Sequence, residues 1–134
     1  MSVAYVMSDI EKKVLIVDDD PVILMIHRLK IMRSGVDAAP LEFLNGQTAL
    51  DYIKDQNYEK NFFIVLLDIN MPVMNGWEFL DSIQNMDLKC KMKVAMVTSS
   101  VDRADKEKAK MYREVFSYIT KPVHDNEITF LKDL

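Results

Sequence analysis

The sequence contains one cysteine, Cys90, among its 134 residues. A single cysteine forms no intrachain disulfide, so the fold depends on a packed core and nothing in the sequence calls for an oxidising compartment. Glycine is also scarce, because only Gly35, Gly46 and Gly76 are present. No glycine-rich loop that cradles nucleotide phosphates can be written from them, which argues against nucleotide binding.

Long apolar runs and excess positive charge are lacking as well. No apolar run approaches the roughly 20 residues of a membrane helix, and residues 1–13 lack the basic start and apolar stretch of a secretory signal. We therefore expect a cytoplasmic protein. The formal net charge of -4 argues against nonspecific nucleic-acid binding. With 49% hydrophobic and 28% charged residues, the chain fits one globular domain with a core.

What the sequence does contain is a set of short apolar runs that each end in polar residues. They are residues 14–17 before Asp18, 62–67 before Asp68, 94–97 before Thr98, and 115–119 before Thr120 and Lys121. Such runs, separated by longer amphipathic stretches, are typical of buried parallel strands that alternate with helices. The carboxyl ends of these strands meet at one edge of the sheet, where ligands bind near the reversal of strand order.

The predicted fold class is α/β, a doubly wound (βα)5 five-stranded parallel sheet with the flavodoxin-like order 2-1-3-4-5. Strands are predicted near 13–18, 39–44, 62–68, 93–98 and 115–120, and helices near 21–34, from 46 onward, and near 76–86, 102–113 and 125–134. Residues 1–12 are predicted as an N-terminal extension and 13–134 as one domain. Asp20 before Pro21 predicts a helix start, and Gly35 predicts its left-handed end.

Three of these elements carry a more specific expectation. Pro40 fits only an edge strand or a strand start, so the second strand is predicted at an edge of the sheet. The fourth helix is strongly charged with few apolar positions, so we predict that it packs weakly and faces solvent. The last helix is predicted to be anchored by Ile128 and Leu131.

Three carboxylates, those of Asp18, Asp19 and Asp68, are predicted to lie within a few ångströms of one another if the first and third strands are neighbours. Like charges this close raise one another's pKa unless a cation joins them. Oxygen ligands alone favour Mg²⁺, which binds through one or two carboxylates and keeps several waters. A solvated turn and helix cap is the alternative for the run 18–20 alone, but Asp68 and Lys121 together favour the metal site.

An aspartate in this position can also react. A carboxylate can attack phosphorus and give an acyl phosphate, while a hydroxyl and an ammonium bind the remaining phosphoryl oxygens. Asp68, Thr98 and Lys121 suit these three roles. Taken alone, Thr98 would be interpreted as a cap of the fourth helix and Lys121 as a surface lysine. Pro122 restricts Lys121 to an extended backbone and permits a cis bond between them.

Four segments together resemble the receiver domain of the two-component response-regulator family, of the stand-alone, chemotaxis-receiver type. They are residues 14–21, 67–76, 97–100 and 118–122, which read VLIVDDDP, LDINMPVMNG, VTSS and YITKP. The resemblance covers about residues 12–134. Its most specific parts, taken together, are the segment that starts at Asp68 and the Lys121-Pro122 pair.

The resemblance implies a phosphoacceptor in a phosphorelay. Asp68 would take phosphate from a phosphohistidine on a sensor histidine kinase or a histidine phosphotransfer protein. Mg²⁺ would be bound directly by Asp19, Asp68 and the backbone carbonyl of Asn70, with Asp18 acting mainly through a bound water. Apart from its own phosphotransfer and slow autodephosphorylation, such a protein is a switch and not an enzyme.

The same resemblance implies how the signal would leave the site. Thr98 and Lys121 would bind the phosphoryl group, and Tyr118 would be an aromatic switch that turns inward when Thr98 moves. A packing role in an edge strand is the simpler alternative for Tyr118. The face of the fourth helix, fifth strand and fifth helix would then contact a downstream protein or a second copy of the chain. Since no segment follows the fifth helix in this sequence, we expect output by protein contact, without direct binding to nucleic acid or membrane.

Two residues depart from the family's commonest pattern. Ser99 follows Thr98 where alanine or glycine is usual, and Ser100 comes one position further on. The resemblance implies that Asn70 and Ser100 flank the route by which water attacks the acyl phosphate. The lifetime of the phosphate therefore stays open.

The predicted first helix has more apolar residues than one core stripe needs, since residues 22–26 are all apolar. The simpler interpretation is extra core packing with one or two residues exposed. The alternative is a docking patch for the helical phosphotransfer partner, which charging Met25 or Leu24 would test. His27 has no acidic or cysteine companion on this helix, so we predict a surface histidine.

Two other functions fit part of the pattern. A phosphohydrolase of the haloacid dehalogenase type also uses an aspartate after a buried strand together with Mg²⁺. That class needs a second acid two residues later, where this sequence has Asn70, and a cap domain for which the chain is too short. The other alternative is a receiver-like binding module that no longer takes phosphate. It is disfavoured because every expected site residue is present.

Overall fold

The structure is a computed structural model that describes residues 10–134. In this part of the chain, strands and helices alternate. The elements are β1 (Glu11–Val17), α1 (Pro21–Ser34), β2 (Leu41–Phe43), α2 (Gly46–Asp55), β3 (Asn61–Leu67), α3 (Gly76–Gln84), β4 (Lys91–Thr98), α4 (Arg103–Ala109), β5 (Val115–Thr120), α5 (Asp125–Phe130) and a 3-10 turn (Leu131–Asp133). The predicted alternation of five strands with five helices is confirmed.

The strands form one parallel sheet in the order β2-β1-β3-β4-β5. The predicted flavodoxin-like order is therefore confirmed, and β2 lies at an edge as expected. The chain runs outward from β1 to β2 and then crosses back to β3, so strand order reverses between β1 and β3. The carboxyl ends of β1 and β3 meet at this reversal, where open α/β sheets bind their ligands.

The sheet is covered by helices on both faces, and each face has its own apolar core. One core packs Leu15 and Phe63 against residues such as Phe79 of α3, and the other packs Ile16 and Ile64 against α1 and α5. All seven residues of β3 are buried. A strand covered on both faces has no solvent side, which is why β3 is an unbroken apolar run after Asn61, without polar alternation.

The start and end of α1 agree with the sequence signals. Asp20 Oδ1 accepts a hydrogen bond of 2.9 Å from the amide of Val22, and Pro21 is the first helical residue. Gly35 follows the helix with φ at 80°, in the left-handed region that glycine adopts without strain. The turn from β1 into α1 is therefore fixed directly beside the acidic residues.

The amino end of β1 differs from the prediction. The strand begins at Glu11, two residues before the predicted start, because Glu11 pairs with Asn61 at the beginning of β3. The extension predicted over residues 1–12 therefore loses its last two residues to β1. Residues 1–9 lie outside the described part of the chain.

The last two helices are shorter than predicted. α4 ends at Ala109 instead of near residue 113, because the chain turns so that the buried Tyr112 donates a hydrogen bond of 2.6 Å to Asp81 of α3. Ala109 is the one buried residue of α4, so the predicted weak packing is confirmed. The final segment becomes a 3-10 turn, with Ile128 and Leu131 both buried as predicted.

Within residues 10–134, no helix is long and apolar enough to span a membrane.

Candidate functional site

Adjacent strands bring the predicted carboxylates together. Asp18 follows β1 and Asp68 follows β3, and the amide of Asp68 donates a hydrogen bond of 3.0 Å to the Val17 carbonyl. Asp18 is 2% exposed and Asp68 is 5% exposed, whereas Asp19 faces solvent. Carboxylate oxygens from all three lie within 4.8 Å of one another. The predicted proximity of the three acids is confirmed.

Lys121 enters the same pocket from the end of β5. Its Nζ lies 2.6 Å from Asp18 Oδ2 and 3.1 Å from Asp68 Oδ2. Its amide donates a hydrogen bond of 2.9 Å to the carbonyl of Thr98, and its bond to Pro122 is cis. The lysine that sequence reasoning assigned to this site is therefore in contact with both buried carboxylates.

The charges in the pocket do not balance. Burial raises the pKa of Asp68, and the negative charge of Asp18 raises it further, while Lys121 and the Ile69 amide oppose both effects. Burial lowers the pKa of Lys121, but its hydrogen bond to Asp18 and the charge of Asp68 outweigh burial and leave the pKa raised. One ammonium faces three carboxylates, so the site has a net negative charge that favours a bound cation.

The donor set of the pocket fits a hard divalent cation. The available ligand atoms of Asp18, Asp19 and Asp68 are all carboxylate oxygens. Mg²⁺ binds through one or two carboxylates and keeps several waters, whereas softer metals take nitrogen or sulfur ligands. The residues present therefore fit Mg²⁺.

Thr98 is the last residue of β4 and is fully buried. Its carbonyl accepts the Lys121 amide, so the threonine and the lysine are adjacent at the carboxyl edge of the sheet. Its Oγ1 accepts a hydrogen bond of 3.3 Å from the amide of Ser100. The backbones of Thr98 and Lys121 are therefore joined at this edge, and the Thr98 hydroxyl is linked to the loop that leads into α4.

Tyr118 and Ser100 are directly connected. The Tyr118 hydroxyl donates a hydrogen bond of 3.0 Å to the Ser100 carbonyl, and the tyrosine is half-buried in the edge strand β5. The Ser100 hydroxyl donates a hydrogen bond of 2.7 Å to Asp105 Oδ2, so in this conformation it is engaged with α4. Asn70 is exposed in the loop after β3. Sequence reasoning named Ser100 but missed Asp105, whose spacing from Ser100 carries no signal of its own.

The loop from Ile69 to Asn75 is shaped by a close approach that the sequence motif did not explain. The amide of Gly76 donates a hydrogen bond of 2.8 Å to the Ile69 carbonyl. A Cβ atom at Gly76 would collide with the carbonyl oxygen of Asp68. The glycine at the end of the motif is therefore needed to let α3 start against the backbone of Asp68.

The prediction that His27 lies on the surface is wrong. His27 is 1% exposed, and its burial lowers its pKa to about 4, although the charge of Asp18 acts in the opposite direction. The burial of His27 could have been predicted from its spacing on α1, because Leu24, His27 and Ile31 form the buried stripe of this helix. The absence of a ligating companion is no sign of exposure, because this histidine is a core residue.

The apolar residues of α1 divide between core and surface. Leu24 is buried, Ile23 and Ile26 are half-buried, and Val22 and Met25 are 58% and 46% exposed. This division matches the simpler interpretation of residues 22–26, extra core packing with one or two exposed positions. The exposed positions nevertheless continue along the helix beyond this segment, through Leu29 and Met32.

The chain belongs to the response regulator receiver domain family, because the model of that family matches residues 14–131. The family acts in two-component signalling, where its members are signalling switches. The recognition made from the four sequence segments is therefore confirmed.

Curated relatives carry the same domain within longer chains. The chain is 26% identical over 109 residues to chemotaxis protein CheV1 of Helicobacter pylori, which is 81% of this chain and 33% of that protein. It is 31% identical over 94 residues to two-component response regulator 24 of Arabidopsis thaliana, which is 69% of this chain and 62% of that protein. The chain thus spans about a third of CheV1.

Solved structures share the fold over nearly the whole chain. A two-component response regulator from Cytophaga hutchinsonii has a TM-score of 0.77 at 24% identity, covering 92% of this chain and 96% of its own. Vibrio cholerae chemotaxis protein CheY4 has a TM-score of 0.65 at 25% identity, covering 92% and 95%. These similarities agree with the observed strand order.

Proposed function

We propose that this chain is a phosphoacceptor in a two-component phosphorelay and that Asp68 is the residue that takes the phosphate. The observation that carries the proposal is the position of Asp68 at the reversal of strand order, 5% exposed, beside Asp18 and within 3.1 Å of Lys121 Nζ. A buried carboxylate with a cation partner, at the carboxyl edge of the sheet where such folds bind their ligands, suits attack on phosphorus.

In this proposal one oxygen of Asp68 attacks the phosphorus of a phosphohistidine. The new bond joins that oxygen to phosphorus, the bond between phosphorus and the imidazole nitrogen breaks, and its electron pair stays on the leaving nitrogen. Lys121 then exchanges its contact with Asp68 for a phosphoryl oxygen, and the Thr98 hydroxyl donates a hydrogen bond to another. The negative charge of the transferred group would thereby be matched by the Lys121 ammonium and the Thr98 hydroxyl.

Mg²⁺ is the cofactor that we propose for this pocket. Asp19, Asp68 and the backbone carbonyl of Asn70 would bind it, and Asp18 would act through a bound water. When bound, the ion supplies neutralising positive charge between the carboxylates and the phosphoryl oxygens. The unbalanced charge of the pocket supports this assignment.

The phosphodonor is proposed to be a sensor histidine kinase or a histidine phosphotransfer protein. One relative of this chain is named hybrid signal transduction histidine kinase I of Dictyostelium discoideum, and 86% of this chain matches 7% of it. For the output, we propose the face of α4, β5 and α5, with Tyr118 as the residue that changes position. Slow loss of the phosphate to water would reset the switch.

Intact mass after incubation with acetyl phosphate tests the proposal. With Mg²⁺, the wild-type chain gains one phosphoryl group, and the gain disappears when Mg²⁺ is omitted or when Asp68→Asn replaces the nucleophile. Asp51→Asn, at an exposed aspartate of α2, serves as the matched control and is expected to behave like the wild type. A wild-type chain that gains no phosphate and shows no fluorescence response to beryllofluoride would refute the proposal.

A further inference from the structure

Four hydrogen bonds outside the carboxylate pocket meet at one residue, Ser100. Its amide donates to Thr98 Oγ1 at 3.3 Å, and its carbonyl accepts from the Tyr118 hydroxyl at 3.0 Å. Its hydroxyl donates to Asp105 Oδ2 at 2.7 Å and accepts from the Asp102 amide at 3.3 Å. Ser100 therefore contacts the end of β4, the aromatic side chain of β5 and the first turn of α4.

We propose that the hydrogen bond between Ser100 and Asp105 couples the position of α4 to the state of the pocket. Ser100 and Asp105 then act as positioning residues for the switch. This proposal rests on the proposed function, because it assigns the residues that carry the phosphorylation signal from Thr98 to α4. Neither residue touches the phosphoryl group in this account. Their role is to make the first turn of α4 move together with the loop after β4.

The unequal strength of the contacts gives the coupling its direction. Thr98 Oγ1 accepts a long hydrogen bond from Ser100, and that contact weakens when the threonine hydroxyl turns toward a phosphoryl oxygen. The bond from Ser100 to the Asp105 carboxylate is short and charge-assisted, and such bonds are about twice as strong as neutral ones. When the weaker contact is lost, Ser100 therefore stays bonded to α4 and moves with it.

The weak packing of α4 makes a single bond of this kind decisive. Ala109 is the only one of its seven residues that is buried. An element with so few buried apolar contacts lies at the low end of local stability, where small changes in bonding shift its position. The Tyr118 hydroxyl donates a hydrogen bond to the Ser100 carbonyl, so the tyrosine responds when Ser100 is displaced.

Asp105 also has a simpler role that the test must separate from coupling. An acidic residue in the first turn of a helix stabilises that helix through its dipole, whatever the state of the pocket. Loss of this effect would lower the stability of α4 equally with and without phosphate. Loss of coupling would change only the response of α4 to phosphate.

Trp77 provides the required readout of α4. It is the only tryptophan of the chain, and its ring stacks on Tyr112 with centroids 6.1 Å apart. Lys108 Nζ of α4 lies 4.6 Å from the centroid of the same ring. Displacement of α4 therefore changes the surroundings of Trp77 and its fluorescence.

The experiment compares phosphorylation with the response of α4 in the full chain. Wild type, Asp105→Ala, Asp105→Asn and the control Glu107→Ala are each incubated with acetyl phosphate and Mg²⁺. Intact mass gives the phosphorylated fraction, and Trp77 emission gives the response. Glu107 is an exposed acid on the same helix, so its removal changes charge without touching Ser100.

The proposal predicts that Asp105→Ala takes phosphate to the same extent as the wild type, with a Trp77 response at least threefold smaller. Asp105→Asn keeps an acceptor oxygen for Ser100 and is expected to recover most of the response, and Glu107→Ala is expected to match the wild type. An unchanged response in Asp105→Ala overturns the coupling. So does loss of phosphorylation in that variant. Hydrogen exchange gives a further check, because equal loss of α4 amide protection with and without phosphate also overturns the coupling. If the wild type itself gains no phosphate, the proposed function fails instead, and the coupling fails with it.

Discussion

Lys121 is the residue on which the charge balance of the pocket depends. Its Nζ contacts both Asp18 and Asp68, and these two carboxylates are nearly inaccessible to solvent. Within residues 10–134, Lys121 is the one cation that pairs with them, and buried carboxylates that lose such a partner retain the desolvation penalty without its compensation. The stability of the cation-free protein is therefore tied to one lysine.

We predict that Lys121→Met lowers the free energy of unfolding by about 3 kcal/mol in the absence of divalent cations. Mg²⁺ is expected to restore a large part of this loss, because it supplies positive charge to the same carboxylates. Urea unfolding with and without Mg²⁺ measures both effects. Lys110→Met is the control, since that lysine is exposed and its surface ion pair contributes less than about 1 kcal/mol. Equal stability of Lys121→Met and wild type without Mg²⁺ would show that Lys121 does not compensate the buried negative charges of the pocket.

Burial of His27 makes the stability of the protein depend on pH. The folded state holds the pKa of this histidine at about 4, against 6.5 in the unfolded chain, because burial disfavours the charged form. Asp18 opposes that effect, while Lys121 and Lys30 add to it. The unfolded state therefore takes up the proton first as pH falls, and stability is lost between about pH 6.5 and 4.

We predict that His27→Leu removes this loss. Relative to the variant, the wild type is expected to lose about 3 kcal/mol of unfolding free energy between pH 6.5 and 4, and nothing above pH 7.5. Urea unfolding across this range measures the difference, and His124→Gln, at the exposed second histidine, is expected to follow the wild type. Parallel pH profiles for wild type and His27→Leu would contradict the assignment of the proton to His27.

The buried position of His27 was not predictable from its chemistry alone, because a histidine without companions is compatible with either face of a helix. Its spacing from Leu24 and Ile31 was the better guide. Asp105 was not predictable in the same way, since its contact with Ser100 depends on where the loop after β4 folds. Asp18, Asp68 and Lys121 were predictable because each directly follows a strand that contains an apolar run.

Among the elements, α1 has a surface that the core does not use. Val22, Met25, Leu29 and Met32 are 58%, 46%, 37% and 41% exposed, and their 3-4-3 spacing places them in one stripe along the helix. The stripe begins beside the acidic residues at the end of β1. A helical phosphodonor that reaches Asp68 would lie against this stripe, and four apolar side chains suit a helix-in-groove contact.

We predict that Met25→Glu lowers phosphotransfer from a phosphorylated histidine phosphotransfer protein about tenfold, which corresponds to about 1.4 kcal/mol of lost contact. Phosphorylation by acetyl phosphate is expected to stay unchanged, because the small donor needs no helix contact. Met111→Glu is the matched control, since Met111 is 78% exposed and lies outside α1. Transfer at the wild-type rate in folded Met25→Glu would show that the donor binds elsewhere.

The bounds of the elements were harder to predict than their existence. The helix predicted to reach residue 113 ends at Ala109, because Tyr112 donates a hydrogen bond to Asp81 of α3. These two residues are 31 positions apart in the chain. β1 starts early because its partner strand extends to Asn61. Both differences arise from tertiary contacts, which local sequence patterns do not contain.

At the scale of the whole molecule, the alternation of strands and helices was predictable because β1, β3 and β4 are short, mostly buried runs between amphipathic segments. A sheet covered on both faces leaves β3 without a polar residue after Asn61, and right-handed crossovers restrict the order in which such strands pair. Once β1 and β3 are neighbours, the acids that follow them must meet. The candidate site is therefore a consequence of topology as much as of residue type.

The central claim is that this fold delivers a phosphoryl group to Asp68, and chemical trapping of the acyl phosphate tests it most directly. The wild-type chain is incubated with acetyl phosphate and Mg²⁺, reduced with borohydride, and digested for peptide mass spectrometry. Reduction converts a phosphorylated aspartate to homoserine, and the account predicts homoserine at position 68 alone. Homoserine at Asp18 or Asp19, or unmodified aspartate at all three positions, would contradict it.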